Sequence, residues 1–319
     1  MEELPRKRSN IIGMGSKGAH NLVNTILYAL VVIALLYVFT RRMEGFQEAQ
    51  LNAVPSVSTY PLCFLCVAPP KEYLKTLVPF TQTQAVYVVC DNNEYVPPES
   101  PDFKTVKITE KDAATSYPVT PGVLYIIQIQ DDICGKSGYI NSASTIPKKP
   151  SAWDKALYYF CVKNMAPHVW FVEEDVFIPR TDIFNEMNGR YPNTDLVGKQ
   201  HVSETEDPGF FWWFDAEGKM ERPYYRCLVC AVRISRNIFA EIAKMAAEKK
   251  TVCFVETLFS TIVHHKNFTK ELAPELQSVI FRHNWTKDTV HKNGLFHPVK
   301  DVKDHIEFKT HLDNAAVKV

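Results

Sequence analysis

The chain is expected to be an α/β protein, with a mostly parallel, doubly wound sheet carrying helices on both faces, preceded by a single transmembrane helix. Three observations lead there. Short, continuous apolar runs, the mark of strands covered on both faces, recur from Tyr60 onward. Segments with helical spacing separate several of them, the alternation that brings strands parallel. Ahead of these, Leu22 to Phe39 is almost wholly apolar and uncharged, and a membrane-spanning helix needs roughly 17–25 such residues.

The N-terminal segment "NLVNTILYALVVIALLYVFTRR" is followed by no small-residue cleavage site, and Arg41-Arg42 closes it like a stop signal. Arg6, Lys7, Arg8 and Lys17 outnumber the two arginines after the span, so the positive-inside rule keeps the short N-terminus in the cytosol. The expected organisation is a tail over 1–20, an anchor over 21–42, a polar stem over 43–58 and a folded domain over 59–319. With that topology, Asn267 in "NFT" and Asn284 in "NWT" become possible glycosylation acceptors.

Lys+Arg 36 against Asp+Glu 36 leaves no net charge, so a partner held through a phosphate backbone is not expected: no nucleic acid. Eight cysteines include two C-x-x-C pairs, Cys63/Cys66 and Cys227/Cys230, with zinc-like spacing. Both lie in apolar, strand-like runs, where residues three apart point to opposite faces. They read as small buried hydrophobes. Disulfides cannot be assigned from sequence.

Within the domain, "YPLCFLCVAPP" (Tyr60 to Pro70) is a buried strand closed by prolines, and "KEYLKTLVPF" has helical spacing. "AVYVVCDNNEY" (Ala85 to Tyr95) is a second strand running into a polar cluster at Asp91, and "GVLYIIQIQDD" (Gly122 to Asp132) a third. "SAWDKALYYFCVKNM" starts a helix with Ser151 as N-cap. The strand "HVWFVEEDVFI" follows. Later come an aromatic loop "GFFWWFD", a strand "YRCLVCAVRIS", a helix "RNIFAEIAKMAAEKK" and the apolar segment "VCFVETLFSTIVHHKN".

The three acids that end the central strand carry the chemistry. In extended backbone Glu173 and Asp175 project to one side and Glu174 to the other. Two carboxylates about 7 Å apart on one side of a strand end can share a hard divalent cation, Mn²⁺ or Mg²⁺, with substrate phosphates. Asp91, at the end of another strand, is expected at the same crevice.

An apolar strand running into acid-x-Asp, preceded by a helix in a membrane-anchored α/β chain, resembles the GT-A type of glycosyltransferase, whose equivalent strand ends in a D-x-D-like motif. The resemblance implies that Asp175 ligates the metal on a sugar-nucleotide diphosphate. It puts Glu173, replacing the commoner first Asp, near ribose or metal. Asp91 falls where base or ribose is contacted, and Trp153, Asp154 and Lys155 fall in a region that often faces the nucleotide sugar. A late histidine, His283 or His297, would add a metal ligand, with Lys300 neutralising a phosphate. Glu256, a lone acid in "CFVETLFST", sits where inverting members carry their base, and partial burial would raise its pKa toward neutrality. The aromatic run Phe210 to Phe214 could stack sugar faces or be core.

The implied activity is metal-dependent transfer of a hexose or pentose from a UDP- or GDP-sugar donor to a glycan or glycoconjugate hydroxyl, by a type II membrane protein of the Golgi or ER lumen. Two alternatives stay open: a nucleotidyltransferase of sugar activation, and a non-catalytic carbohydrate-binding membrane protein.

Overall fold

The computed structural model describes residues 58–112, 120–143 and 149–317. The tail and anchor expected over 1–42, and all but the last residue of the stem, lie outside them. Among the described residues no helix is long and apolar enough to cross a membrane.

The domain opens with β1 (Ser58–Cys66), α1 (Lys71–Leu77) and β2 (Gln84–Cys90). β3 (Phe103–Ile108), β4 (Leu124–Ile129) and α2 (Asp131–Lys136) follow. α3 (Ala152–Tyr158), extended by a π-helical turn over Tyr159–Lys163, leads into β5 (His168–Glu173) and α4 (Ile183–Arg190). Then come β6 (Leu196–Gly198), β7 (Val202–Ser203), the one-turn α5 (Trp213–Ala216) and β8 (Tyr225–Arg226). β9 (Ala231–Ser235), α6 (Arg236–Lys249), α7 (Val255–His265), β10 (Lys270–Leu272) and α8 (Val302–Val317) complete it.

Eight strands form one sheet in the order β10-β6-β9-β5-β1-β2-β4-β3. All neighbours pair parallel except at β9, which runs antiparallel to both β5 and β6. β1, β2 and β5 are apolar at nearly every position because both sheet faces are covered. On one face α3, α6 and α7 pack through Trp153, Leu157, Phe239 and Phe259. On the other, α1 and α4 pack through Leu74, Leu77, Phe184 and Met187.

Two expectations need correction, and one strand was missed. "YRCLVCAVRIS" is not one strand: β8 and β9 are separated by residues 227–230, which belong to neither. "GFFWWFD" is not all loop, since α5 forms within it. β3, a further strand of "FKTVKI", went unrecognised because its exposed edge position gives it lysines instead of an apolar run.

The α3 start follows the expected capping chemistry. Ser151 and Asp154 form a reciprocal box, the Asp154 carboxylate accepting from the Ser151 backbone N–H at 2.8 Å. Asp154 also accepts from the Ser142 N–H at 2.9 Å, so its buried carboxylate ties two segments together and does not face a ligand.

Candidate active site

Because β1, β2 and β5 are parallel neighbours, their carboxyl ends reach one edge together. Cys66 lies opposite Cys90, and Leu65 opposite Glu173. Asp91 therefore emerges beside the acidic turn, and both line one cleft of about 550 Å³ with Tyr73, Trp153 and Lys300. An adjoining hollow of about 270 Å³ holds Glu256, Cys230 and His297 and shares Trp153, Glu173, Asp175 and Lys300 with the first. Two connected compartments thus meet at the acids.

β5 ends at Glu173, and Glu174 and Asp175 lie in a turn. Strand alternation therefore stops at the first acid. Glu174 does not face away: its carboxylate lines the larger cleft and accepts from the Val67 N–H at 3.3 Å. Burial raises its pKa, with the Val67 N–H opposing and Asp175 adding to the rise.

Glu173 is oriented by its neighbours. Trp153 Nε1–H donates to Glu173 Oε1 at 2.9 Å, and the Glu173 backbone N–H donates to the Cys230 carbonyl at 2.8 Å. Asp175 is held by a late segment folded back across it. Val299 N–H donates to its carbonyl at 2.7 Å, and Phe177 and Phe296 exchange backbone hydrogen bonds beside it. This pairing brings His297 in, with Nε2 3.3 Å from Asp175 Oδ1 and 4.0 Å from Glu173 Oε2. His297 Nδ1 stands 2.6 Å from the Ile280 carbonyl, which fixes the tautomer and turns Nε2 toward the acids.

Burial of Asp175 pushes its pKa up, but His297 and Lys300 outweigh it and hold the carboxyl below the usual range. Burial likewise opposes the charged form of His297, and Asp175 overcomes it to raise the imidazole's pKa. Lys300 is exposed and 3.9 Å from Asp175 Oδ2, a cation at the mouth of both compartments.

Two carboxylates and an imidazole whose far nitrogen is bound to a backbone carbonyl fit a divalent cation. Glu173, Asp175 and His297 are the residues that would hold it. His283 is not among them: it is exposed, with its ring against Trp285 at 4.1 Å, beside a separate hollow.

Lys155 is wholly buried, and its ammonium bonds to Asp131 at 2.9 Å, to Asn93 at 2.7 Å and to the Asp91 carbonyl. It shapes the Asp91 loop from within and leaves no charge open to the cleft, against the expectation that it faces a nucleotide. Trp153 is both core and site, buried among Phe171 and Phe259 with its N–H on Glu173.

Glu256, in the first turn of α7, is half-buried in the smaller hollow. Burial raises its pKa to about 7, with Arg226 opposing and Glu173 adding. Arg226 is fixed by Asp207, its guanidinium 2.6 Å from that carboxylate and 4.5 Å above the Phe210 ring. Of the aromatic run, Trp213 is core. Trp212 stacks on Phe254 at 4.7 Å and 21°, and Phe254 lines the same hollow as Glu256.

Three neighbours of the acids went unrecognised in the sequence: Cys230, Arg226 and His305. His305 comes from α8, lies edge-on to Tyr73 at 5.9 Å and lines the larger cleft. Only the C-x-x-C spacing had marked Cys230, and nothing local marks the other two.

No family model matches the chain, and no curated protein matches it. Among solved structures it is similar to mouse xyloside xylosyltransferase 1 in its apo form, at 7% identity over 67% of this chain and 84% of that one, with a TM-score of 0.33. It is also similar to the galactosyltransferase LgtC in complex with donor and acceptor sugar analogues, at 11% identity over 82% of this chain and 100% of that one, with a TM-score of 0.42. At such scores neither likeness bears on donor, acceptor or metal.

Proposed function

We propose that the chain is a metal-dependent glycosyltransferase of the GT-A type, moving a sugar from a nucleotide-sugar donor to a glycan hydroxyl. The observation that carries this reading is the junction of two compartments at Glu173 and Asp175, with a raised-pKa acid, Glu256, in the smaller one. A donor needs the larger volume, and an acceptor hydroxyl needs a base across the reacting carbon.

In this reading the nucleotide lies along the ends of β1 and β2, with Asp91 at the ribose or base. Glu173, Asp175 and His297 would hold the divalent cation, and the chemistry it would supply is positive charge for the departing diphosphate. Trp153 keeps Glu173 turned toward that position. Lys300, exposed beside Asp175, adds a second positive charge at the leaving group. Glu256 takes the proton from the acceptor hydroxyl as it attacks, giving inversion at the anomeric carbon. Its pKa near neutrality suits that exchange. The basic residues ahead of the apolar segment 21–42 support a type II anchor and a lumenal site in the Golgi or ER.

Thermal melting of the full chain with Mn²⁺ and UDP-, GDP- or CMP-sugars tests the reading. A donor that binds the folded state must stabilise it by mass action, by about 2.7 kcal/mol at a hundred times its Kd, and so raise the melting point. A shift with one nucleotide class is expected, and no shift with any of them would remove the basis for a donor site.

A further inference from the structure

The C-x-x-C spacing that suggested zinc in the sequence does not produce a thiol pair. Cys227 is buried near Ser260, its backbone N–H donates to the Glu256 carbonyl at 2.9 Å, and its thiol is not grouped with Glu173 and His297. Cys230, three residues on, ends the irregular stretch just before β9. Because β9 runs antiparallel to β5, with Val172 opposite Ala231, the start of β9 lies beside the end of β5. This places the Cys230 thiol against the Glu173 carboxylate. The potential ligand atoms of Cys230, Glu173 and His297 all lie within 4.8 Å of one another.

We propose that Cys230, His297 and Glu173 form a site for a thiophilic divalent cation of the Zn²⁺ class, overlapping the carboxylate site at two ligands so that the two cannot be filled together. Carboxylates and an imidazole suit Mg²⁺ or Mn²⁺, whereas adding a thiolate shifts preference toward Zn²⁺. Tetrahedral zinc with bonds of about 2.0–2.3 Å keeps its ligand atoms about 3.5 Å apart. Glu173 Oε2 and His297 Nε2 are already 4.0 Å apart, so closing on an ion takes small side-chain rotations. The His297 tautomer is already set by Ile280. The incoming cation displaces the thiol proton to solvent and binds sulfur as thiolate. The site does not depend on glycosyl transfer: it stands on these three side chains whatever the protein's reaction.

The test uses Co²⁺ as a spectroscopic probe on the full chain, followed by competition with Zn²⁺ and Mn²⁺. One equivalent of Co²⁺ should produce a near-ultraviolet thiolate-to-cobalt band that Zn²⁺ abolishes and that Mn²⁺ displaces only in large excess. Cys230→Ala should lose the band and weaken Zn²⁺ binding by at least about tenfold, since even partners behind a ligand cost 10–100-fold. Cys227→Ala should keep both. No band in the wild type, or an unchanged band in Cys230→Ala, overturns the site. Should Cys230→Ala fail to fold, His297→Gln decides, because unchanged Zn²⁺ affinity there excludes this ligand set and a tenfold loss supports it.

Discussion

His297 Nε2 stands 3.3 Å from Asp175 Oδ1, while the other ring nitrogen is held by the Ile280 carbonyl. Residues 122 apart in sequence are joined because the Val299–Asp175 and Phe296–Phe177 backbone bonds lay the late segment along the acidic turn. His297→Ala should therefore weaken Mn²⁺ binding about 10–100-fold. His283→Ala, which removes an exposed ring resting on Trp285, should leave it unchanged. Electron paramagnetic resonance of free Mn²⁺ reads both. Equal losses in the two variants would show that the His297 pairing is not what holds the cation.

Glu256 has its pKa raised to about 7 by burial. A base must be deprotonated to act, so turnover should rise with pH through a midpoint at or somewhat below that value, the bound cation drawing it down. Glu256→Gln should lower kcat by about a hundredfold or more and flatten this limb. A variant that keeps the wild-type limb would assign the titration elsewhere.

Trp153→Phe keeps an aromatic ring against Phe171 and Phe259 but deletes the N–H that orients Glu173. Stability should drop by about 1 kcal/mol for the lost hydrogen bond, together with the packing lost to the smaller ring. Metal affinity should drop further, as a positioning role requires. Loss of stability with metal affinity intact would make Trp153 a core residue only.

Glu174 has a raised pKa in the folded state, so its contribution is greatest below the unfolded value of 4.5 and is lost as pH rises through the folded value. Glu174→Gln removes that charge and keeps an oxygen for the Val67 N–H. It should melt at or above the wild type at neutral pH, with the difference shrinking as pH falls toward 4.5. Glu174→Ala, which leaves the N–H without its partner, should melt lower than Glu174→Gln. Calorimetry across pH distinguishes the three proteins.

β1, β2 and β5 were legible because strands covered on both faces leave continuous apolar runs, and the acids stood out against them. What local pattern could not carry was direction and distance. Nothing in "CAVRIS" marks β9 as antiparallel, yet that reversal puts Cys230 beside Glu173. Alternation was extended two residues too far: the strand stops at Glu173, and the turn swings Glu174 into the cleft. Lys155 looked like a free cation near a nucleotide, since a fully buried lysine with three partners cannot be told from an exposed one by spacing. α8 was missed altogether. Its sequence mixes charged and apolar residues with only a weak apolar face, although it delivers His305 to the cleft.

In the proposed reaction Asp175 would hold a metal that activates a nucleotide-sugar. Release of nucleoside diphosphate from UDP- and GDP-sugars by the purified full chain, with Mn²⁺ and after chelation, addresses it directly. Turnover that needs Mn²⁺ and falls by about a hundredfold or more in Asp175→Ala, with the fold retained, is the predicted result. Turnover that survives chelation, or is unchanged in Asp175→Ala, would contradict it.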